Sequence, residues 1–505
     1  MTIQYLKEKF PPPPFDTEVD EMLYFRDLYE GNHENIFPRA QQLAEQSPQV
    51  TKPKISRQRK KYYRGLAVKD NKLAQYHYVI VNFAAVIAEL PADLINRSLG
   101  NISADTEKEQ ALLEFVSGIV KRSKLQQKIW PAIVQHQVDG GVAYRIRRDE
   151  RGAWFEWKPA DLYFEHEDEL GADIAWTEER GDKEYLRVER QRLNANSLEI
   201  EQLVFLIESD TVDSQLDINE YATEYGLTIP APETLEGIDE LMCGFLPNDE
   251  TLMRPRGRSG LRNIDNIQEE INWTITRDSI VFEKHGKPKL AIPRALWDTV
   301  AKQNQNYYGE RFVRNADLEV VSYDEKNGAV PMYITWNAMT EQSFKHVERL
   351  VQAMMAVSKT SAQAAGIEEA KGSTSAKAIL YEWIQSVIKS EAIKDKFDAI
   401  IKDAIRKCII LENALAQTNL EEVEPVVEWQ DMLPKADSER DEEETDKFDK
   451  GVQSLETTIR NIHPTWSEKA ITAELQKIIE EQATDSLSPS FVQPPKTTIA
   501  TGEEE

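Results

Sequence analysis

An α+β fold follows from three features of this chain. Apolar residues recur at helical spacing on both sides of a short strand-rich insert between Gly260 and Val357. A further stretch from Ala376 to Leu415 holds helical register for 40 residues without Pro or Gly, and Gly141 to Ser209 alternates apolar and polar residues as strands do. At 505 residues the chain also exceeds what one core sustains, so two or more domains are expected.

In chain order, Met1 to Glu45 mixes prolines, aromatics and acids, with a polyproline run at Pro11 to Pro14 and a helical pattern at Glu18 to Tyr29. It lacks the basic start and apolar run of a signal peptide. The one dense basic cluster follows: Lys52, Lys54, Arg57, Arg59, Lys60, Lys61 and Arg64, with Tyr62 and Tyr63 set within it. A solvated basic loop is the plain reading, and contact with DNA or an acidic neighbouring subunit the functional one. Helices are predicted over Leu73 to Asn96, Asp105 to Gly118 and Leu125 to Asp139. Val142, Tyr144 and Ile146, then Trp154, Phe155 and Trp157, with turns at Asp149 to Gly152 and Glu179 to Asp182, predict an antiparallel meander.

The next helix is predicted from Ser259 to His285. Leu261, Ile264, Ile267, Ile271, Ile275 and Phe282 form its stripe, with Trp273 and Ile280 beside it. It would span about 40 Å, and Gly286 and Pro288 stop it. Pro288 to Thr335 holds short strands at Lys289 to Ile292, Leu318 to Tyr323 and Met332 to Thr335. A second helix opens at the cap Asn337 and carries Phe344, Val347, Leu350, Val351, Met354 and Val357. Ser358 to Ser375 is rich in small residues and has no apolar face, and the long helix resumes at Ala376. Beyond Pro434 acids crowd together, helices are predicted over Lys447 to Asn461 and Ser467 to Gln482, and Thr484 to Glu505 reads as a disordered tail.

Composition bounds the function. Hydrophobic residues make up 40% and charged ones 30%, enough apolar content for cores beneath a strongly solvated exterior. No run of about 18 apolar residues exists to span a bilayer. Cys243 and Cys408 are the only cysteines, which argues against a disulfide framework and for buried thiols in a reducing cytosol. The net charge of -27 is the opposite of what a tight DNA binder needs, but it suits a wall along which a duplex must slide, as it also suits mere solubility.

Several runs carry a resemblance. GRSGLRNIDNIQEEINWTITRDSIVFEKHGKPKLAIP from Gly257, ITWNAMTEQSFKHVERLVQAMMAVSKTS from Ile334 and GSTSAKAILYEWIQSVIKSE from Gly372 succeed one another. Earlier come YYRGLAVKDNKLAQYHYVIVNFAAVIAELPADLI from Tyr62 and DGGVAYRIRRDERGAWFEWKPADLYFE from Asp139. In that order they resemble the portal proteins of tailed bacteriophages, in the long-tailed branch. The similarity covers about Tyr62 to Leu433, and its specificity lies in the succession of moderate motifs.

The resemblance implies a portal fold: long stem helices, a mixed α/β wing, a small strand-containing clip and a helical C-terminal crown. Residues 1–258 would be wing, 259–285 the first stem helix, 286–335 the clip, 336–357 the second stem helix, 358–375 the tunnel loop, 376–434 the long wing helix, 435–483 the crown and 484–505 the tail. Stem packing falls to Leu261, Ile264, Ile271, Trp273, Ile275, Phe344, Val347 and Val351. In the tunnel loop, Lys359 and Lys371 would meet phosphate, with the hydroxyls of Ser358, Thr360, Ser361, Ser373 and Thr374 making weak, exchangeable bonds.

The resemblance further implies a homo-oligomer, a closed ring of twelve subunits, through which double-stranded DNA is packaged, retained and ejected. Its partners would be the terminase large subunit, then the head-completion or connector protein, with the major capsid and scaffolding proteins, and no membrane. It would belong to the virion, at the portal vertex, after assembly in the host bacterial cytoplasm.

Motifs of catalysis are missing. GIEEAKGS at Gly366 lacks the order of a phosphate-binding loop, and HEDEL at His166 lacks a second histidine. No cofactor, metal or catalytic residue is predicted. The alternatives are a metal-dependent nucleic-acid enzyme using the acids Asp437, Glu439, Asp441, Glu442, Glu443, Glu444 and Asp446, or a scaffold or adaptor that forms no ring.

Overall fold

The computed structural model describes residues 3–46, 78–104, 110–209, 211–285, 289–294, 319–323, 332–334, 340–367, 376–416, 418–432, 437–463, 466 and 468–485. The basic cluster at 52–64 and the cap Asn337 lie outside them. The fold is mixed α+β, and the chain divides into two units: Met1–Ser373 with Ile379–Met432, and Thr374–Ala378 with Leu433–Glu505.

The first unit begins with α1 (Phe15–Glu30), α2 (His33–Ile36) and α3 (Pro38–Gln46). α1 buries Phe15, Val19, Met22, Phe25 and Leu28 at spacings of three and four, and ends where Gly31 turns left-handed. Its Arg26 forks onto two carboxylates, reaching Asp139 at 2.6 and 2.8 Å and Asp161 at 2.7 and 2.8 Å. A planar guanidinium with two carboxylates fixes register more firmly than a single ion pair would.

Next come α4 (Phe83–Ser98), β1 (Leu99–Ala104), α5 (Gln110–Arg122) and α6 (Leu125–Asp139). The helix predicted from Leu73 starts ten residues later. Residues 78–82 are not helical, and Asn82 caps α4 by accepting from the Ala85 amide. α6 is buried along Leu125, Ile129, Ala132, Ile133, His136 and Val138 and packs on α1 and α4.

The predicted meander is present as two sheets. β2 (Gly141–Asp149) and β3 (Gly152–Pro159) pair through a two-residue turn, with β10 (Cys243–Pro247) on the free side of β2. β4 (Tyr163–Glu165), β5 (Gly171–Arg180), β6 (Lys183–Asn194), β7 (Ser197–Glu208) and β8 (Thr211–Leu216) are antiparallel neighbours in that order, with β9 (Glu233–Glu236) also on β7. Period two sorts the side chains. Leu186, Val188 and Phe205 face a core with Tyr5, Phe15 and Phe164, while Tyr185 and Val204 face Tyr221 of α7 (Ile218–Tyr225).

One buried polar cluster inside this body centres on Asp173. The fully buried Asp173 accepts from Tyr5 (3.0 Å) and from Arg190 (2.8 and 3.0 Å), and lies 3.0 Å from His166 Nε2. Burial pushes its pKa up, but the bonds from His166 and Arg190 outweigh that and hold it below the ordinary value.

α8 (Asp265–His285) opens the next segment. The helix predicted from Ser259 thus starts six residues later, at Asp265, and is about 31 Å long. Residues 260–264 form turns instead, because the Gly260 amide bonds the Gln137 carbonyl (2.7 Å) and the Leu261 amide the Ser259 hydroxyl (3.1 Å). The strands predicted in the insert all occur: β11 (Lys289–Pro293) pairs in parallel with β12 (Glu319–Tyr323) and antiparallel with β13 (Met332–Ile334). α9 (Thr340–Val357) returns against α8. α10 (Ala376–Ala416) buries Phe397, Ile401, Ala404, Ile405 and Cys408, and β14 (Pro425–Trp429) pairs with β1.

The second unit contains α11 (Asp437–Asp449), α12 (Leu455–Ile462) and α13 (Glu468–Asp485). The single helix predicted over Lys447 to Asn461 is broken at Gly451, which has φ +68°, and restarts where the Ser454 side chain caps the Thr457 amide. No helix of the described residues is long and apolar enough to cross a membrane.

Candidate functional site

The segment with the most distinctive sequence is α8, its insert, α9, and the turns after α9. α8 has two unlike faces. Ile271 is fully buried, with Leu261 and Ile264 buried in the preceding turns, while Trp273 and Ile275 are partly covered and Arg39 lies over the Trp273 ring at 5.6 Å.

The other buried face is polar. Gln268, Asn272 and Thr276, each fully buried, stand four residues apart and read the backbone of residues 79–83. Thr276 Oγ1 accepts from the Val79 amide (2.9 Å), Asn272 Oδ1 from Val81 (3.0 Å) and Gln268 Oε1 from Phe83 (3.1 Å), while Gln268 Nε2 donates to the Val81 carbonyl (2.6 Å). Four helical residues rise about 6 Å and two extended residues about 6.6 Å, so the two periods stay in step over three rungs. This is why the chain before α4 is not helical: its amides are taken by side chains of α8. Asn272 Nδ2 then donates to His33 Nδ1 (2.8 Å), which places the proton of that imidazole on Nε2, 3.2 Å from the Leu28 carbonyl.

Across the hairpin, Ser343 of α9 donates to Asp278 of α8. Val351, Met354 and Met355 are buried and Val347 is partly covered. Phe344, assigned to stem packing from its spacing, is 56% exposed, and Phe282 is also exposed.

The loop after α9 differs from its expected character. Ser358, Thr360 and Ser361 are buried, not presented to solvent. Ser358 Oγ donates to the Met355 carbonyl (3.1 Å), Thr360 Oγ1 to that of Ser358 (3.4 Å) and Ser361 Oγ to that of Glu382 (2.6 Å). The Ser361 amide bonds Ser386 Oγ (2.8 Å) and Lys389 Nζ the Ser358 carbonyl (3.2 Å). Successive turns of α10 thus pin the loop base. Burial, with Lys359 nearby, brings the Lys389 ammonium down to about 8. Lys359, at φ +52°, is exposed; Lys371, Ser373 and Thr374 lie outside the described residues.

Among the described residues no group of three His, Cys, Asp or Glu side chains is placed to hold a metal. Of the acids proposed for the alternative enzyme, Glu444 is buried and accepts from Gln453 Nε2 (2.8 Å) and Asn461 Nδ2 (2.7 Å) and pairs with Lys447. Burial raises its pKa, but these donors prevail and hold it at about 2. It ties α11 to the turn before α12, a structural task. Cys243 and Cys408 are free and buried, and burial pushes the Cys243 thiol up to about 12.

Reading for apolar stripes missed the polar ladder of α8, although Gln268, Asn272 and Thr276 at a spacing of four were a signal in themselves.

No family model and no curated protein matches the chain. Among solved structures it is similar to a chain described as "Neck of native GTA particle computed with C12 symmetry", at 9% identity and a TM-score of 0.39, over 75% of this chain and 89% of that one.

Proposed function

We propose that the chain is the subunit of a portal: a ring at one capsid vertex through which double-stranded DNA is packaged, retained and ejected, and on which the terminase motor and then the head-tail connector dock. One observation carries the reading. The sequence runs that resemble portal proteins fall on α8, a three-stranded insert, α9, a turn-rich loop and the long α10, in that order in a single chain. The insert is the candidate clip, α8 and α9 the candidate stem, residues 358–375 the candidate tunnel loop, and α11 to α13 the candidate crown.

Burial of the Ser358, Thr360 and Ser361 hydroxyls narrows the DNA-facing assignment to Lys359, together with Lys371, Ser373 and Thr374. A near-neutral loop on a chain of net charge -27 suits transient phosphate contact, since each tight contact would slow a sliding duplex.

Light scattering during gel filtration tests the proposal. A ring of about a dozen copies of the 57.9 kDa chain elutes near 700 kDa, whereas a stable monomer at micromolar concentration overturns it and restores the scaffold or adaptor reading. Magnesium-dependent cleavage of duplex DNA that is lost in D441N/E443Q would overturn it in favour of the enzyme.

A further inference from the structure

We infer that Lys389 of α10 is a positioning residue for phosphate contact: it holds the peptide before Lys359 and so fixes the left-handed turn from which that lysine meets the DNA backbone. The inference rests on the portal reading and its tunnel loop, and names what aims the cation there.

The turn puts a lysine where this chain elsewhere uses glycine. α9 ends in a paired closure: the Lys359 amide bonds the Ala356 carbonyl (3.3 Å) and the Thr360 amide that of Met355 (3.0 Å). Such a closure needs a left-handed residue at the helix exit, usually glycine. α1, α7 and α11 close with the same two bonds and place Gly31, Gly226 and Gly451 there, at φ +68°, +61° and +68°. α9 places Lys359 there at φ +52°, although a Cβ makes that region unfavourable. Strain of this kind persists where the surroundings over-determine the backbone, and it gathers where a particular side chain is needed.

α10 supplies those surroundings. Lys389 Nζ donates to the Ser358 carbonyl (3.2 Å), the oxygen of the peptide that enters Lys359. Two residues beyond Lys359, the Ser361 amide bonds Ser386 Oγ (2.8 Å) and Ser361 Oγ the Glu382 carbonyl (2.6 Å). Both ends of the turn are thus fastened to successive turns of one helix. Ser358, Thr360 and Ser361 are buried, and Lys359 among them is exposed. Neither lysine has an ion pair among the described residues. Burial, and then the charge of Lys359, lower the Lys389 ammonium to about 8, so the two cations feel each other. On a chain of net charge -27, two neighbouring cations without an acid leave room for an outside anion, and the anion that a passing duplex repeats is its phosphodiester. A lysine fixed at its backbone presents that charge at the same point in every subunit of a ring.

The test is binding of a labelled DNA duplex to the assembled full-length chain across a salt series. Lys359→Gln should lower the slope of log affinity on log salt by about one for each phosphate engaged. Lys389→Met should lower it as far, and Lys389→Arg, which keeps a donor at that reach, should not. The double variant, Lys359→Gln with Lys389→Met, should lose no more than Lys359→Gln alone. In hydrogen exchange, Lys389→Met should expose the Lys359 and Thr360 amides, and Lys359→Gly, freed of the strain, should protect the Thr360 amide about fivefold more. Lys389→Met at the parental slope, a double variant whose losses add, or a Lys359→Gly turn no better protected than the parent overturns the positioning role and leaves the ring reading standing. Lys359→Gln at the parental slope overturns the phosphate contact as well. A wild-type chain that stays monomeric by light scattering overturns the portal reading and this inference with it.

Discussion

Replacing Asn272 by Leu tests whether the polar ladder of α8 fixes the extended segment before α4. Leu has the heavy-atom count and branching of Asn and is somewhat bulkier, so the change removes hydrogen bonds without opening a cavity. It deprives the Val81 amide of its acceptor at 3.0 Å and His33 Nδ1 of its donor at 2.8 Å, while Gln268 Nε2 loses one bond and keeps Val81 O at 2.6 Å. Two buried groups stripped of partners cost about 1 to 3 kcal/mol each, and the buried Leu returns about 1 to 2 kcal/mol. From the middle of these ranges the net loss expected is about 2.5 kcal/mol. Urea unfolding measures it, and hydrogen exchange of the Val79, Val81 and Phe83 amides locates it. Asn272→Asp separates the causes. It keeps both acceptors but sets a carboxylate against His33 Nδ1, which favours the imidazolium. A histidine whose folded pKa is raised contributes stability below its unfolded value and loses it as pH rises through the folded one, so Asn272→Asp should recover on acidification and Asn272→Leu should not. An Asn272→Leu chain within about 0.5 kcal/mol of wild type, with those amides still protected, would refute the reasoning.

Burial holds His136 neutral, with its pKa lowered from 6.5 to about 3, so the unfolded chain binds the extra proton between those values and stability falls as pH drops through that window. About 2 kcal/mol should be lost by pH 5, and His136→Gln should flatten that slope in urea titrations at several pH values. Asp173→Asn sets a neutral amide beside the partly buried Arg190, which keeps Glu201 at 3.8 Å, and should cost about 3 kcal/mol, the low end for a broken buried pair, seen as a drop in melting temperature with secondary structure retained. Glu444→Gln removes the carboxylate that three donors share, and should speed proteolysis of the second unit while the first keeps its melting temperature. Gly257→Ala puts a Cβ into space held by the Asn248 and Gly140 carbonyl oxygens at a left-handed φ, costs more than about 1 kcal/mol, and should lower the melting temperature.

Long elements were legible in the sequence and their ends were not. α6, α10 and the β2–β3 hairpin stand within about two residues of their predicted positions, because periodicity over ten or more residues averages out local noise; the insert's short strands are matched as well, on their β-branched and apolar runs. α8 and α4 were drawn too long for one reason. An apolar stripe says which residues are buried, not whether the backbone there bonds as a helix: the Gly260 amide goes to Gln137 and those of Leu261 and Arg262 to Ser259, while the amides of Val79 and Val81 are taken by Thr276 and Asn272. Of the candidate site, Leu261, Ile264, Ile271 and Val351 are buried where spacing placed them, whereas Phe344 is exposed. Hydroxyl-rich composition suggested a solvated loop, yet Ser358, Thr360 and Ser361 serve the junction with α10. Composition cannot tell a hydroxyl that meets solvent from one that satisfies a buried carbonyl.

Top views of the purified protein in negative-stain electron microscopy test the central claim most directly. The account predicts closed rings of about a dozen subunits around a channel wide enough for a duplex roughly 20 Å across, with mass in solution to match. Discrete monomers or two-fold dimers at micromolar concentration would contradict it.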